Sequence, residues 1–352
     1  MIRTLNSMRF ILILMIVISH STLPITQGLK DYLGEYAVAI FFVISGFVLS
    51  LGKGEKLEEE KTSNRQFFFS RIIKIFPLHL IVLVIIILLD WRLGHLGTWY
   101  QTLAQCFLVQ CWVPSHHFIA TLNGATWFLS DIMFFYLIFK YLYHWGMNYS
   151  WAKILPILSI YMVFYIILSL SAHSDYSNGY IYFYPPFRMI DFIFGILLYK
   201  STFINKSRKT IFSNITLWKA NLADIVIVML FVGMYYLSIY TIPNIRCSIL
   251  YWIPSVITVY YIMYSDTSIG WLTKILHNKQ LLWLGGISFE IYLCHGLCFR
   301  IIQSIFLKIF GEDIPYLGLQ FIISIIFTIV TAWVAKKYIV SPLYNKIYKF
   351  IK

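Results

Sequence analysis

An arginine and a histidine flank an almost wholly apolar stretch close to the start of the chain. Arg9 and His20 are eleven positions apart, and only apolar residues and Ser19 lie between them. In an α-helix this spacing is about three turns, or about 16 Å, so both side chains lie on nearly the same face. Ionisable groups inside a membrane helix are costly and usually mark functional sites. The stretch therefore predicts a cation and a titratable imidazole on one stripe of a membrane helix.

A second histidine is predicted at the same depth. Ser288, Tyr292 and His295 follow one another at i, i+4 and i+7, so they share one face of a later apolar helix. Counting the rise per residue places His295 at nearly the level of His20. Two level histidines on different helices indicate either a reaction centre or a pair of hydrogen-bonded core histidines that hold the helices together.

Further polar residues are predicted in the same half of the membrane. Asp131 lies about two turns into the helix that starts near residue 125, and Arg188 and Asp191 lie at the start of another helix. Together with the two histidines they predict one polar pocket. Because Arg188 and Asp191 are i, i+3 neighbours, a local ion pair is the alternative interpretation.

Three cations are predicted at the opposite mouth of the protein. Arg71 and Lys74 are one turn apart at the start of an apolar helix, near the point where Arg9 leaves the membrane. Such a cluster suits a phosphate-bearing ligand, although ordinary basic anchoring at a membrane surface is the alternative. Nearby, Ser45 and Gly46 fall near the middle of a span, where a small residue permits either close helix approach or an opening for a ligand chain.

The composition requires a membrane. Of the 352 residues, 59% are apolar and only 12% are charged, and the mean hydropathy is +0.74. Soluble proteins carry about 25% charged residues, so this chain cannot cover its surface with polar groups. The net charge of +13 does not indicate nucleic-acid binding, because the basic residues fall in short loops at the ends of apolar segments. The five cysteines form no metal-binding pattern with histidine.

The fold class predicted is an all-α polytopic membrane protein with about ten transmembrane helices. The spans are predicted at about 8–24, 36–52, 72–90, 125–143, 152–171, 187–202, 221–241, 247–264, 281–305 and 317–340. The segment 97–112 is too short and polar for a confident span. Sorting the loops places 22 of the 28 Lys and Arg residues on one side, which predicts that both termini are cytoplasmic. Residues 1–352 are read as a single integral-membrane domain without an appended soluble domain.

Several short motifs, in this order along the chain, resemble the membrane-bound acyltransferase family 3, which contains bacterial polysaccharide O-acetyltransferases. They are Arg9-x10-His20, FFVISGF at 41–47, Arg71-x-x-Lys74, Trp127-x-Leu129, Arg188-x-x-Asp191-Phe192-x-x-Gly195, GGISFEIYLCH at 285–295 and KKYIVSPLYNKI near the end. Singly they are weak, but jointly on ten predicted spans they are specific. The chain departs from the family in Lys74, where an arginine is common, and in Ile132, where many relatives carry a glutamate.

The resemblance implies a multi-pass enzyme of the bacterial inner membrane. Its donor would be cytoplasmic acetyl-coenzyme A, a substrate rather than a permanently bound cofactor, and no metal is implied. Its acceptor would be a sugar hydroxyl of a surface glycan, such as the O-antigen of lipopolysaccharide or an exopolysaccharide, and the group transferred would be acetyl or another acyl group that is not amino-acyl. Nucleic acid is not expected as a partner.

The resemblance also distributes roles among the residues already singled out. It implies that the donor is held by Arg9, Arg71, Lys74, Ser45 and Gly46. The acceptor side would comprise Asp131, Arg188, Asp191 and Trp127. The catalytic group would comprise His20, His295 and Tyr292.

Two mechanisms remain open for His20. It either acts as a general base on the sugar hydroxyl, which needs fewer steps, or is acylated first and then passes the group on. Two other classes of function are also considered. A transporter of a polar or lipid-linked solute would fit buried histidines but normally shows internal repeat symmetry, which is absent from this sequence. A purely structural subunit would leave the level histidines unexplained.

Overall fold

A computed structural model describes residues 2–21, 27–94, 97–171, 178–203, 216–311 and 316–351. The elements in these ranges are helices and turns, with no strand among them. The main helices are α1 (Arg3–Ser19), α2 (Gln27–Leu49), α3 (Asn64–Leu93), α4 (Trp99–Cys106), α5 (Trp127–Asn148), α6 (Trp151–Ser171), α7 (Pro185–Phe203), α8 (Leu217–Tyr240), α9 (Trp252–Ser265), α10 (Lys279–Gly286), α11 (Ser288–Phe310), α12 (Leu317–Ala335) and α13 (Ser341–Ile351).

Eight helical segments of the described chain are long and apolar enough to cross a membrane. They are Tyr32–Glu58, Asn64–Leu93, Gly124–Asn148, Trp151–Ser171, Tyr180–Thr202, Leu217–Tyr240, Ser288–Phe310 and Leu317–Ile347, and Ile249–Ser265 is a shorter apolar helix. Together with α1 they match the ten predicted spans. Large apolar side chains such as Ile160 (71% exposed) and Met229 (63% exposed) face outward, as expected where lipid is the solvent. The prediction of an all-α polytopic membrane protein is confirmed.

Two parts of the predicted topology lie outside the described residues. These are positions 22–24 at the end of the first span and most of the basic 200–219 loop. The segment 97–112 forms the eight-residue helix α4 and the short turn Gln110–Trp112, which is too short to cross a bilayer. The carbonyl of Gln105, in α4, accepts a hydrogen bond from Nε2 of the buried His79 at 2.9 Å, which ties α4 to α3.

Helix α3 shows how local sequence sets the ends of a long element. The Ser63 hydroxyl accepts a hydrogen bond from the Gln66 amide, and the Gln66 side chain accepts one from the Ser63 amide, which together make a capping box. At the other end Gly94 adopts φ 72°, a left-handed conformation that glycine reaches at little cost. These caps fix where α3 begins, and so place Arg71 and Lys74 in its second and third turns.

Helices α2 and α7 approach each other closely through two glycines. A Cβ added at Gly46 would collide with the backbone carbonyl of Phe192, and one added at Gly195 would collide with that of Val43. Small residues that allow such backbone contact are common where membrane helices pack. The glycines of the FFVISGF and Arg-x-x-Asp-Phe-x-x-Gly motifs therefore form one packing contact.

Helix α1 lies inside the bundle. It carries Arg9 and leads directly into His20. Leu12 is fully buried and Ile16 is 3% exposed. The first turns are tied to the loop before α10, because the Thr4 hydroxyl lies 3.1 Å from Nε2 of His277 and the Ser7 hydroxyl donates to the Leu276 carbonyl. With its start fixed in this way, α1 holds Arg9 and His20 at set depths.

Candidate active site

The two predicted histidines meet. Nδ1 of His20 lies 2.9 Å from Nε2 of His295, and the planes of the two rings are nearly parallel, with an interplanar angle of 6°. His20 is exposed at the end of α1, whereas His295 is 2% exposed within α11. The structure thus brings these two residues together, and it pairs an accessible imidazole with a buried one.

Hydrogen bonds fix the tautomers of this pair. Nδ1 of His295 lies 2.6 Å from the Tyr292 carbonyl oxygen, which can only accept, so this nitrogen carries the proton. In the neutral pair, Nε2 of His295 must then accept the hydrogen bond from Nδ1–H of His20. Nε2 of His20 is left with its lone pair and has no hydrogen-bond partner among the described residues. The arrangement presents one unprotonated nitrogen, oriented by a chain of two hydrogen bonds.

Two cavities open beside this pair, and both are lined by His20, His295, Gly296 and Arg300. The first has a volume of about 270 Å³ and lies between α11 and α12; we call it the helix-pair cavity. The second has a volume of about 330 Å³ and is walled mainly by the segment between α4 and α5, including Asn123 and Trp127; we call it the loop cavity. His20 is therefore accessible from two neighbouring spaces.

A larger space, the basic cavity, lies against the other part of α1 and has a volume of about 550 Å³. All three predicted donor cations line it. Its polar lining comprises Arg9, Ser45, Arg71, Lys74, Ser288, Glu290, Tyr292, Lys336, Ser341, Tyr344 and Asn345. A concentration of four cations in one cavity suits an anionic ligand such as a phosphate ester.

Aromatic rings and one carboxylate hold these cations in place. The Arg71 guanidinium lies 5.3 Å from the centre of the Phe67 ring, and the Lys74 ammonium lies 5.1 Å from that of Tyr344. Nζ of Lys336 lies 3.4 Å from Oε1 of Glu290 and also donates to the Gly286 carbonyl. Glu290 had no role in the sequence interpretation, and Lys336 had none beyond its place in a motif. Their pairing could not be seen because 46 residues separate them.

A thin partition divides the basic cavity from the loop cavity. Tyr292 lines the basic cavity, and its hydroxyl donates to the carbonyl of Ala125, which lines the loop cavity. Ile16 also lines the basic cavity, and its carbonyl accepts a hydrogen bond from the His20 amide at 3.1 Å. One helical turn of α1 and one side-chain layer thus separate the basic cavity from the imidazole.

The geometry changes the interpretation of Tyr292. Its hydroxyl has a single proton, and that proton is committed to Ala125. In this conformation Tyr292 cannot also donate to a reacting oxygen, so its position indicates a role in the partition rather than in direct chemistry. Its carbonyl still fixes the tautomer of His295.

The predicted acceptor residues separate into two groups, which corrects the expectation of one polar pocket. Trp127 lines the loop cavity beside the histidines. Asp131, Arg188 and Asp191 are all fully buried and line none of the three cavities. Nη2 of Arg188 lies 3.2 Å from Oδ2 of Asp191, so the local ion pair is the interpretation that holds.

The Arg188 guanidinium is enclosed by protein on several sides. Nη1 donates to the Cys247 carbonyl at 2.8 Å, and the guanidinium carbon lies 5.4 Å from the centre of the Tyr182 ring. Tyr182 in turn lines the loop cavity and lies 4.9 Å from the Trp127 ring. The charged cluster therefore lies behind an aromatic wall, which keeps it from contact with a ligand in that cavity.

Ser45 and Gly46 also differ from each other. Ser45 lines the basic cavity, and its hydroxyl donates to the Phe41 carbonyl at 2.8 Å. Gly46 is outside that lining and faces α7, where it makes the close backbone contact described above. Of the two alternatives for Gly46, close helix approach fits the structure, and donor contact does not.

Sequence reasoning missed most of the polar lining of the histidine cavities. Arg300, Gln303, Gln320 and Asn123 line these cavities and are not among the residues predicted from the sequence. Arg300 follows His295 by five residues on the same helix, about 140° around it, so the spacing alone does not place the two side chains on one face. The signal for Gln320 was absent, because only the packing of α12 on α11 brings it to the site. Among the described residues there is no group of three or more His, Cys, Asp or Glu residues that could hold a metal ion.

In this multi-helix membrane protein, the basic cavity lies on one side of an oriented histidine. A protein that moves an activated group past such a histidine requires this layout. The comparison with known families agrees: residues 2–336 match the family described as an acyltransferase domain, and the chain belongs to that family. The protein is thus a multi-pass membrane member of this family.

One relative is the acyltransferase MdmB of Streptomyces mycarofaciens, which is 28% identical over 183 residues. That alignment covers 47% of this chain and 46% of the relative, so the chain spans less than half of the length of that protein. No solved structure matches the chain.

Proposed function

We propose that the protein transfers an acetyl group, or a similar acyl group, from coenzyme A in the cytoplasm to a sugar hydroxyl of a surface glycan outside the bacterial inner membrane. The observation that carries this proposal is the basic cavity, which ends one helical turn from His20. Coenzyme A carries a diphosphate and a 3′-phosphate at one end and the thioester at the other. The order of these groups therefore matches a site with cations at the mouth and the catalytic group at the far end.

The distribution of charge supports this direction. The loops assigned to the cytoplasm contain 22 of the 28 Lys and Arg residues. Arg9 precedes His20 on α1, and Arg71 and Lys74 lie in the first turns of α3, so the basic cavity is on the side of those loops. The histidine cavities are then on the side where a surface glycan is assembled.

The chemistry follows from the free nitrogen of His20. Nε2 accepts the proton of the sugar hydroxyl as the oxygen attacks the thioester carbonyl, the carbon–sulfur bond breaks, and the imidazolium returns the proton to the leaving thiolate. His295 stabilises the imidazolium form and holds the ring orientation, as the orienting member of a catalytic pair does. In the stepwise alternative, Nε2 itself attacks the thioester carbonyl, and the carbon–sulfur bond breaks to release the thiolate. The sugar oxygen then displaces the imidazole from the acyl group, and the hydroxyl proton passes through Nε2 to the thiolate.

Reconstitution tests the proposal directly. The purified protein in sealed vesicles is given radiolabelled acetyl-coenzyme A on one side and the glycan of the host on the other. We expect label in the glycan, and no transfer by His20→Ala. His144→Ala is the matched control, because His144 is 57% exposed and lies outside the three cavities. Vesicles that move glycan or protons but transfer no acetyl or other acyl group would refute the proposal.

A further inference from the structure

Three of the residues first expected to bind the acceptor are not accessible to it. Asp131, Arg188 and Asp191 are sealed within the protein. An acceptor must nevertheless bring its reacting oxygen to about 3 Å from Nε2 of His20. The helix-pair cavity and the loop cavity are the two spaces that reach His20 in the described part of the chain.

The helix-pair cavity has side chains suited to hydroxyl groups. Gln303 is exposed and Gln320 is 7% exposed, and both line this cavity. Neither amide has a hydrogen-bond partner among the residues that the structure describes. A side-chain amide both donates and accepts, and so matches a sugar hydroxyl, which does the same. The Gln320 side chain lines this cavity although the residue as a whole is only 7% exposed, so its amide is available to a ligand there.

Two aromatic rings complete the wall. Phe299 and Phe321 line the cavity, with their ring centres 6.0 Å apart in an edge-to-face arrangement. Binding sites for small ligands combine apolar and aromatic walls with a few placed polar groups, and this cavity has both. The apolar C–H face of a sugar ring is a suitable partner for these rings.

The charge of Arg300 favours a neutral ligand. Nη1 of Arg300 lies 3.2 Å from Oδ1 of Asp90, and Nη2 donates to the Leu122 carbonyl at 3.0 Å. The carboxylate balances the guanidinium, so the cavity offers no uncompensated cation to an anionic sugar. Arg300 also lines both histidine cavities, which places it at their junction beside His20 and His295.

We propose that the helix-pair cavity is a binding subsite for a neutral sugar of the acceptor. Gln303 and Gln320 select the hydroxyl pattern of this sugar. The next sugar of the same oligosaccharide occupies the loop cavity against Trp127. This inference rests on the proposed function. The two cavities have volumes of about 270 and 330 Å³, close to the lower limit of the range of about 300–1,000 Å³ for small-ligand pockets. The pair therefore suits two linked sugars better than one large group.

Steady-state kinetics give the first test. We expect Gln303→Leu and Gln320→Leu each to raise the KM for the glycan acceptor by about three- to tenfold, the value of one or two hydrogen bonds, and to leave the KM for acetyl-coenzyme A unchanged. Gln280→Leu is the matched control, since Gln280 is exposed at the start of α10 and lies outside the three cavities. An unchanged acceptor KM, or an equal rise in the donor KM, would overturn the assignment.

A second measurement does not depend on turnover. Gln320→Cys is made in a Cys106→Ser background, because the other four cysteines are buried and line none of the three cavities, whereas position 320 lines the helix-pair cavity. Its labelling by a small neutral maleimide is followed with oligosaccharides of two to four sugars released from the surface glycan of the host. We expect the oligosaccharides to slow labelling, and a polyethylene glycol of equal mass, which lacks hydroxyl arrays, to leave the rate unchanged. Equal effects of both, or no protection, would overturn the subsite.

The two measurements separate this inference from the proposed function. Protection of Gln320→Cys without any acyl transfer would keep the sugar subsite and refute the reaction. Acyl transfer to the glycan with unprotected Gln320→Cys and an unchanged acceptor KM would keep the reaction and refute the subsite.

Discussion

His20 and His295 are joined by a hydrogen bond of 2.9 Å between Nδ1 of the first and Nε2 of the second, although 275 residues separate them in the chain. The buried ring of His295 is anchored to its own helix through the Tyr292 carbonyl, and the exposed ring of His20 is oriented by it. In the proposed reaction, the imidazole of His20 reacts, and that of His295 positions it.

This division predicts a graded response at position 295. His295→Ala removes the acceptor for Nδ1–H of His20, and we expect kcat to fall by about 10- to 100-fold, less than the about 10²- to 10⁴-fold attributed to the acid–base group itself. In His295→Gln the amide oxygen can take the place of Nε2, so much of the activity should return. The measurement is kcat with both substrates saturating, together with its pH profile, which a merely structural role would not shift. Equal activity of the two variants would contradict the positioning role.

The basic cavity predicts a donor-specific defect. Arg71→Ala and Lys336→Ala each remove a cation from the cavity lining, and we expect the KM for acetyl-coenzyme A to rise by about 10- to 100-fold, as for loss of a hydrogen bond between charged groups. Inhibition by coenzyme A should weaken by a similar factor. A comparison with dephospho-coenzyme A, which lacks the 3′-phosphate, should show which cation contacts that phosphate. Arg65→Ala is the control, because Arg65 is exposed and outside the basic cavity. Unchanged donor affinity would reassign these cations to membrane anchoring.

The partition predicts that removing the Tyr292 hydroxyl increases the release of thiol from the donor. Tyr292→Phe keeps the ring that packs 5.9 Å from Phe128 but removes the hydrogen bond to Ala125. We expect the partition to open more readily, so that thiol release from acetyl-coenzyme A without acceptor increases several-fold. Free thiol is measured with and without glycan, and Tyr36→Phe, which loses a hydrogen bond to Thr258, is the control. A loss of glycan acylation with no change in thiol release would instead make the hydroxyl a direct catalytic donor.

The close contact between α2 and α7 predicts a stability defect without a binding defect. Gly46→Ala places a methyl group against the Phe192 carbonyl, and we expect a loss of about 1–3 kcal/mol, the usual cost of overpacking. Thermal unfolding in detergent measures it. Gly233→Ala is the control, because a methyl group at Gly233 meets nothing within 4 Å. A raised KM for acetyl-coenzyme A at unchanged stability would return Gly46 to the donor site.

The sequence allowed the helices and the histidine pair to be predicted because both depend on local quantities. Runs of about 20 apolar residues define spans, and a fixed rise per residue converts positions such as 20 and 295 into depths. Depth does not determine which side of a helix faces which neighbour. Asp131 and His20 share a depth, yet one is sealed in the core and the other is exposed beside the cavities.

The residues that were missed all depend on lateral packing. Gln320 reaches the site only because α12 packs on α11, and Lys336 meets Glu290 only because the end of α12 lies beside the start of α11. Gly46 was compatible with two interpretations until α7 was placed against it. Contacts between distant segments were therefore the information that the sequence alone did not contain.

The thin layer formed by Ile16, Tyr292 and Ala125 also has a consequence for the energy metabolism of the cell. A bilayer insulates through about 30 Å of hydrocarbon, whereas cavities here approach each other from both sides to within one helical turn. In the inner membrane, the location proposed above, the proton-motive force would then fall across a few side chains. Substitutions in this layer are constrained by electrical leakage as well as by catalysis, and a variant that opens it permanently should dissipate the membrane potential even when its enzymatic activity is intact.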